Sequence, residues 1–309
     1  MRFRRHLDEG RAWGSGLERQ RHALNAAGVE LGHVEVLGTR LRYVQSRGSG
    51  APLLFCNGIG ANLELMLPFI QAMAGVRVVA FDVPGTGGSR PAWFWPSYSN
   101  FGRFAVGLLD QLGYAGQFDV AGVSWGGGLA QSIAHDYPRR VSRLILMATA
   151  PGMPMVPGRV GALAKMVTPQ RYLSRSFMAR NAAAIYGGEM RGRPDFAIEY
   201  ARMTRAPRRR TYFQQLAAIS LFSSWPWLHR IRCPALVMNG DDDPLIRTIN
   251  ARLLAALLPN ARLHLVGGGG HLFMLMQAEE TARVVRAFID DTRREVEQAL
   301  EAATVAESW

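Results

Sequence analysis

Six short, nearly unbroken apolar runs, spaced by stretches of helix length, constrain this chain more than any other feature. They are Pro52-Leu-Leu-Phe-Cys56, Val76-Arg-Val-Val-Ala-Phe81, Phe118-Asp-Val-Ala121, Leu144-Ile-Leu-Met147, Ala235-Leu-Val-Met238 and Leu263-His-Leu-Val266. A strand reads this way when both its faces are covered, as in a parallel sheet with helices crossing above and below. Helix-length segments at 62–74, 100–112, 126–137, 249–258 and 278–302 fit that alternation. The pattern predicts a mostly parallel, doubly wound α/β sheet. Ahead of it, His33-Val-Glu-Val-Leu-Gly-Thr-Arg-Leu-Arg-Tyr-Val reads as two alternating strands around a Gly38-Thr39 turn.

One stretch breaks the alternation. Residues 151–228 hold no buried strand but many Met, Phe, Tyr, Trp and Arg positions. They are expected to form a helical insertion, a lid over a core made of 31–150 and 229–309. Residues 1–30, arginine-rich and punctuated by Gly14, Gly16 and Gly28, are expected to be a mobile extension.

Composition removes several function classes. Of the 309 residues 48% are hydrophobic, enough for a sizeable core, yet no run reaches the roughly 18 residues of a membrane-spanning helix. Only Cys56 and Cys233 are cysteines, which excludes a disulfide-stapled fold and points to a reducing cytoplasm. The net charge of +12 comes almost wholly from arginine, Lys165 being the single lysine. Those arginines are scattered, without zinc-finger spacing, an RNP-type strand or basic heptads, so no nucleic-acid partner is expected.

The strongest chemical signal is Gly122-Val-Ser124-Trp-Gly126, directly after the run 118–121 and at the start of a helical segment. Glycines two before and two after a serine let the chain turn so sharply that the hydroxyl projects from a strained strand-to-helix bend. The N–H of Trp125, at the positive end of that helix, is then placed to stabilise an oxyanion. A serine hydroxyl needs a base, and the base needs an orienting acid. Past the late strands come Asn239-Gly-Asp-Asp-Asp243-Pro244 and Gly267-Gly-Gly-Gly-His271, both where open α/β sheets gather ligands. His271 is the candidate base. His6, His22, His33, His135, His229 and His264 occupy positions better suited to surface or structural roles. Asp243 is the candidate acid among three adjacent aspartates, because Pro244 fixes the chain after it. Asp82, which precedes the serine, is expected to brace its loop. In Asn57-Gly58-Ile59-Gly60 the N–H of Ile59 is the second candidate oxyanion donor; an ordinary strand-to-helix turn is the competing reading. No metal or organic cofactor is called for.

The chain resembles the intracellular medium-chain-length polyhydroxyalkanoate depolymerases, serine esterases of the α/β-hydrolase fold. The likeness rests on Phe55-Cys-Asn-Gly-Ile-Gly-Ala-Asn-Leu-Glu-Leu65, Ala80-Phe-Asp-Val-Pro-Gly85, Gly122-Val-Ser-Trp-Gly-Gly127 and His135-Asp-Tyr-Pro138. It continues through Met155-Val-Pro-Gly158, Ile185-Tyr-Gly-Gly188, Gly240-Asp-Asp-Asp-Pro-Leu-Ile246 and His271-Leu-Phe273, covering about 34–290. It implies Ser124 as nucleophile, Asp243 as acid, His271 as base, and a polyester granule or hydrophobic ester as substrate, with coat proteins as possible neighbours. Two departures stand out: Arg247 where the family pattern has proline, and a glycine run before His271 in place of a more acidic loop.

Two other readings compete. The same triad suits a carboxylesterase, thioesterase or cofactor-free haloperoxidase acting on small molecules. A non-enzymatic granule-coat or ligand-binding protein on a hydrolase scaffold is the alternative from another class. Serine at position 124 disfavours dehalogenase and epoxide hydrolase chemistry, which uses aspartate there.

Overall fold

A computed structural model describes residues 28–168 and 170–307. Eight strands form one sheet: β1 Val29–Val36, β2 Thr39–Ser46, β3 Ser49–Cys56, β4 Val76–Phe81, β5 Phe118–Val123, β6 Val141–Met147, β7 Ala235–Gly240 and β8 Ala261–Val266. Their order across the sheet is β1-β2-β4-β3-β5-β6-β7-β8. The β1–β2 and β2–β4 pairs are antiparallel, and the five other neighbouring pairs are parallel. The expected α/β class is met. The expected extension lies, up to residue 27, outside the described residues; Val29 and Glu30 already belong to β1.

Alternate residues of the inner strands feed opposite layers, as the pleat requires. Leu53, Phe55, Ala121, Val123, Ile145 and Met147 join one apolar cluster, which also holds Val285 and Phe288 of the closing helix Ala278–Glu307. Leu54, Cys56, Val120, Leu144 and Leu146 join the other. That second layer takes in Phe101 and Leu108 of α2 (Tyr98–Gln111) and Leu129 and Ile133 of α3 (Trp125–Asp136). The short α1, Leu67–Ala72, belongs to the first layer through Phe69 and Ile70. One expectation fails: β8 is not buried on both faces, and Leu263 is 37% exposed. Its apolar run looks like that of an inner strand, but the topology puts it at the sheet's edge.

Among the described residues between β6 and β7 lie five α-helices: α4 Val160–Val167, α5 Gln170–Leu173, α6 Arg175–Tyr186, α7 Pro194–Met203 and α8 Arg209–Ser220. Met178, Ala182 and Ile185 of α6 bury into the first apolar layer. After β7 come α9 Thr248–Leu257, α10 Phe273–Met276 and the closing helix α11, Ala278–Glu307. Among the described residues no helix is long and apolar enough to cross a membrane.

A buried ionic cluster ties the insertion to the sheet. Arg42 of β2 donates from Nη2 to Glu64 Oε1 at 2.8 Å and from Nη1 to Asp82 Oδ2 at 3.2 Å. Asp82 also accepts from the N–H groups of Leu63 and Gly88, both at 2.8 Å, so it braces two loops. Arg205, beyond α7, reaches Glu64 at 3.1 Å, and its N–H donates to Asn62 Oδ1 at 2.9 Å. Burial pushes Asp82 up to about 6, more than Arg42 beside it can offset. Glu64 feels the same burial, but its hydrogen bonds to Arg42 and that cation's charge hold it at about 2.

The two carboxylates therefore act oppositely on stability. Between about 2 and its ordinary 4.5, Glu64 is protonated more readily in the unfolded chain, so its stabilising share is lost as pH falls through that window. Asp82 binds its proton more tightly in the folded state, and its share declines as pH rises from 3.8 to about 6. Glu64→Gln is expected to flatten the loss of stability between pH 4.5 and 2, read from urea midpoints across that range. Arg42→Met, which strands two buried carboxylates, is expected to cost about 3–5 kcal/mol at neutral pH in the same assay.

Candidate active site

Ser124 lies between β5 and α3 with φ 54° and ψ −119°, in the region that L-residues avoid. Such a conformation costs of order 1–3 kcal/mol and persists only where the surroundings impose it. Here its N–H donates to Met147 O at 2.9 Å, and its carbonyl accepts from Gly127 N at 2.9 Å and Thr149 Oγ1 at 2.8 Å. Gly126 allows the bend: a Cβ there would sit 2.1 Å from Cys56 O and 2.5 Å from Asn57 O. The helix thus starts in backbone contact with the end of β3. Gly58 also lies beside the serine, a Cβ on it standing in ordinary contact, 4.0 Å from Ser124 Cβ.

His271 and Asp243 meet through a 2.8 Å bond between Nδ1 and Oδ2, with both side chains almost fully shielded from solvent. The other Asp243 oxygen accepts from the N–H groups of Leu245 and Ile246 at 2.8 and 2.9 Å. Pro244 opens that turn, so one carboxylate oxygen is fixed by the backbone and the other is left for imidazole. Asp242 turns away: it accepts from Gly188 N at 2.9 Å and pairs with Arg191.

The insertion seats the histidine. The His271 N–H donates to Tyr186 O at 2.6 Å, and the Tyr186 ring lies nearly parallel to the imidazole, 6.3 Å between centroids. Gly188, with φ 52°, packs so closely that a Cβ on it would stand 2.1 Å from Gly270 N. The glycine run before His271 is thus a packing surface for the Gly187–Gly188 turn.

Ser124, His271 and Ile59 line one small cavity of about 30 Å³, room for only a water or two. Asn57, Gly58 and Met66 complete one side of it; Met166, Arg171, Tyr186 and Tyr200 close it from the insertion. Trp125 contributes no side chain there. Its ring is buried, stacked edge-on with Phe101, and Nε1 donates to Gln215 O at 2.9 Å.

The loop of Ile59 is held from the same direction. Tyr172 Oη donates to Ile59 O at 2.5 Å, and Gly60 N donates to Gln215 Oε1 at 2.7 Å. Gln215 continues to Thr86 Oγ1 at 3.2 Å. The peptide joining Ile59 to Gly60 is bonded at both ends by α5 and α8. Sequence reasoning overlooked Arg171, Tyr172 and Gln215, and it met Tyr186 only inside Ile185-Tyr-Gly-Gly188, with no role at the site. A Gln-Arg-Tyr run inside a helical insertion carries no local mark of lying over a serine, and only the long-range packing reveals it.

Comparison with known proteins identifies the fold and the family. The family model described as the alpha/beta hydrolase fold matches residues 51–277. The poly(3-hydroxyalkanoate) depolymerase of Ectopseudomonas oleovorans is 47% identical over 244 residues, 79% of this chain and 86% of its own. The 2-hydroxymuconate semialdehyde hydrolase of Pseudomonas putida is 33% identical over 225 residues, 69% of this chain and 76% of its own. Among solved structures, the enol-lactonase from Burkholderia xenovorans LB400 superposes with a TM-score of 0.70 at 23% identity, over 84% of this chain and all of that one. With the strained serine bend between a parallel strand and its helix, and with relatives aligned over most of their length, the chain belongs to the alpha/beta hydrolase family.

Proposed function

We propose that this protein is a serine esterase that hydrolyses the ester bonds of medium-chain-length poly(3-hydroxyalkanoate). The observation that carries the reading is the strained Ser124 sharing a cavity with a histidine whose Nδ1 is engaged by Asp243. That bond leaves Nε2 as the ring nitrogen for the serine proton. The substrate class is supported by the 47% identity to a relative named for poly(3-hydroxyalkanoate) depolymerisation.

In the proposed reaction His271 takes the Ser124 proton and Oγ adds to the ester carbonyl carbon. The developing oxyanion is held by the N–H groups of Ile59 and Trp125. Collapse of the adduct breaks the carbon–oxygen bond, and His271 returns its proton to the departing hydroxyl. A water molecule, deprotonated by His271, then cleaves the acyl-serine. Asp243 holds the imidazole in orientation and stabilises its charged form.

Residues 151–228 act in this reading as a lid. The small cavity beneath Met166, Tyr186 and Tyr200 must widen to admit a medium-chain unit. Work at the surface of cytoplasmic polyester granules suits the exposed apolar side chains Trp93, Trp95, Val160 and Leu173.

A serine-directed phosphonate is expected to label Ser124, and peptide mapping by mass spectrometry checks this. Ser124→Ala should lose both the label and at least about 10⁴-fold in turnover of a medium-chain polyester emulsion. Labelling at another residue, or hydrolysis undiminished in Ser124→Ala, would overturn the mechanism. Asp243→Asn keeps the shape but favours the wrong imidazole tautomer; a fall in kcat on the order of 10³–10⁴ is expected, with KM little changed.

Gly188→Ala tests the seating of the histidine. Its Cβ would strike Gly270 N and strain a residue at φ 52°, displacing the loop of His271. Turnover should drop at least about tenfold, while the far-ultraviolet circular dichroism spectrum stays that of the parent.

A further inference from the structure

Arg171 is the only Asp, Glu, Lys or Arg among the residues lining the cavity of Ser124 and His271. It is 4% exposed. Its contacts are poor for a buried cation: Nη1 donates to Met166 Sδ at 3.0 Å, and Nη2 reaches Ile59 O at 3.5 Å. Nε has no hydrogen-bond partner among the described residues. A guanidinium carries five N–H donors in a fixed fork, so most of its capacity is unspent. Among the described residues no carboxylate forms an ion pair with it. Its flanks are instead the ring faces of Tyr172 and Tyr212, 4.2 and 5.9 Å from the guanidinium carbon.

A buried cation without an anion is costly even after relaxation. Aromatic faces offset part of that cost. Packing alone gives no reason for the charge, because an apolar side chain would fill the same space among Met166 and the tyrosines without the penalty. The guanidinium lines the same cavity as Ser124 and His271, and both of its bonded neighbours, Met166 and Ile59, line it too. Its unspent donors suit a planar, bidentate acceptor, and a carboxylate is the acceptor whose spacing matches the fork.

The proposed substrate supplies one. Each chain of 3-hydroxyacid units ends in a free carboxylate, three bonds from the last ester oxygen. A group so near the scissile bond lies within the same pocket, once widened, whenever that last ester lies at Ser124. We propose that Arg171 is the receptor for this terminal carboxylate, selecting the carboxyl-end ester of the chain. Hydrolysis there breaks one acyl–oxygen bond with one water, leaves the carboxylate unchanged, and releases a single hydroxyacid per turnover. The inference rests on the polyester-esterase reading and adds to it a direction of attack.

The test uses the linear trimer of 3-hydroxyoctanoate, as the free acid and as its carboxyl-end methyl ester. Wild-type protein should cleave the acid with kcat/KM about tenfold or more above the methyl ester, with monomer as the first product. Arg171→Met should erase that ratio chiefly through KM, and Arg171→Lys should keep part of it. A second measurement needs no variant: free 3-hydroxyoctanoate should compete against a neutral p-nitrophenyl ester, and its methyl ester should compete at least tenfold less well. Equal cleavage of acid and methyl ester by the wild type, or an unchanged ratio in Arg171→Met, overturns the carboxylate receptor while leaving the esterase standing. Equal competition by hydroxyoctanoate and its methyl ester does the same. If neither trimer is cleaved although Ser124 takes up the phosphonate, the polyester reading itself fails and this inference fails with it.

Discussion

Backbone meets backbone at Gly126, and the geometry of the site depends on that approach. With the helix start pressed against the carbonyls of Cys56 and Asn57, there is no space for a side chain of any size. The end of β3, the turn of Ser124 and the start of α3 become one rigid corner. Its strain is held by the parallel pairing of β3 with β5 and of β5 with β6, whose ladders run to Cys56↔Gly122 and Val123↔Met147 beside the turn. A serine on a loop free to relax would fall back to an ordinary conformation and turn its hydroxyl elsewhere.

Around that corner the insertion does more than cover. Tyr186 receives the N–H of His271, Gly188 packs on the glycine run, and α5 and α8 grip the Ile59 loop. Arg205 adds a tie through Glu64 and Asn62 to the cluster built on Arg42. The residues that set the cavity's shape come from both sides of the β6–β7 gap, so neither side alone defines it.

How much of this was legible in the sequence follows from how local each signal is. The serine bend was readable because the glycine spacing and the strand before it are neighbours in the chain. The position of Asp82 as a brace was readable from chain order, since it precedes the serine and the acid of such a site follows it. The choice of Asp243 over its two neighbours leaned on Pro244, and in the structure it is Asp243 that faces His271 while Asp242 turns to Arg191. The burial of β8 was misjudged because edge position is a property of the whole sheet and leaves no trace in six residues. Arg171 was invisible for a related reason. Arginines crowd the insertion, and only packing separates the one that is sealed beside a serine.

The peptide between Ile59 and Gly60 carries a mechanical consequence. Its oxygen is tied to the hydroxyl of Tyr172 and its nitrogen to the amide of Gln215, on two different helices of the insertion. Those helices cannot swing outward and keep both bonds, so admitting a bulky guest and fixing that peptide plane are mutually exclusive moments. The plane is restored only once the helices come back down over whatever has entered, which makes enclosure of the guest a condition for a rigid loop beside it.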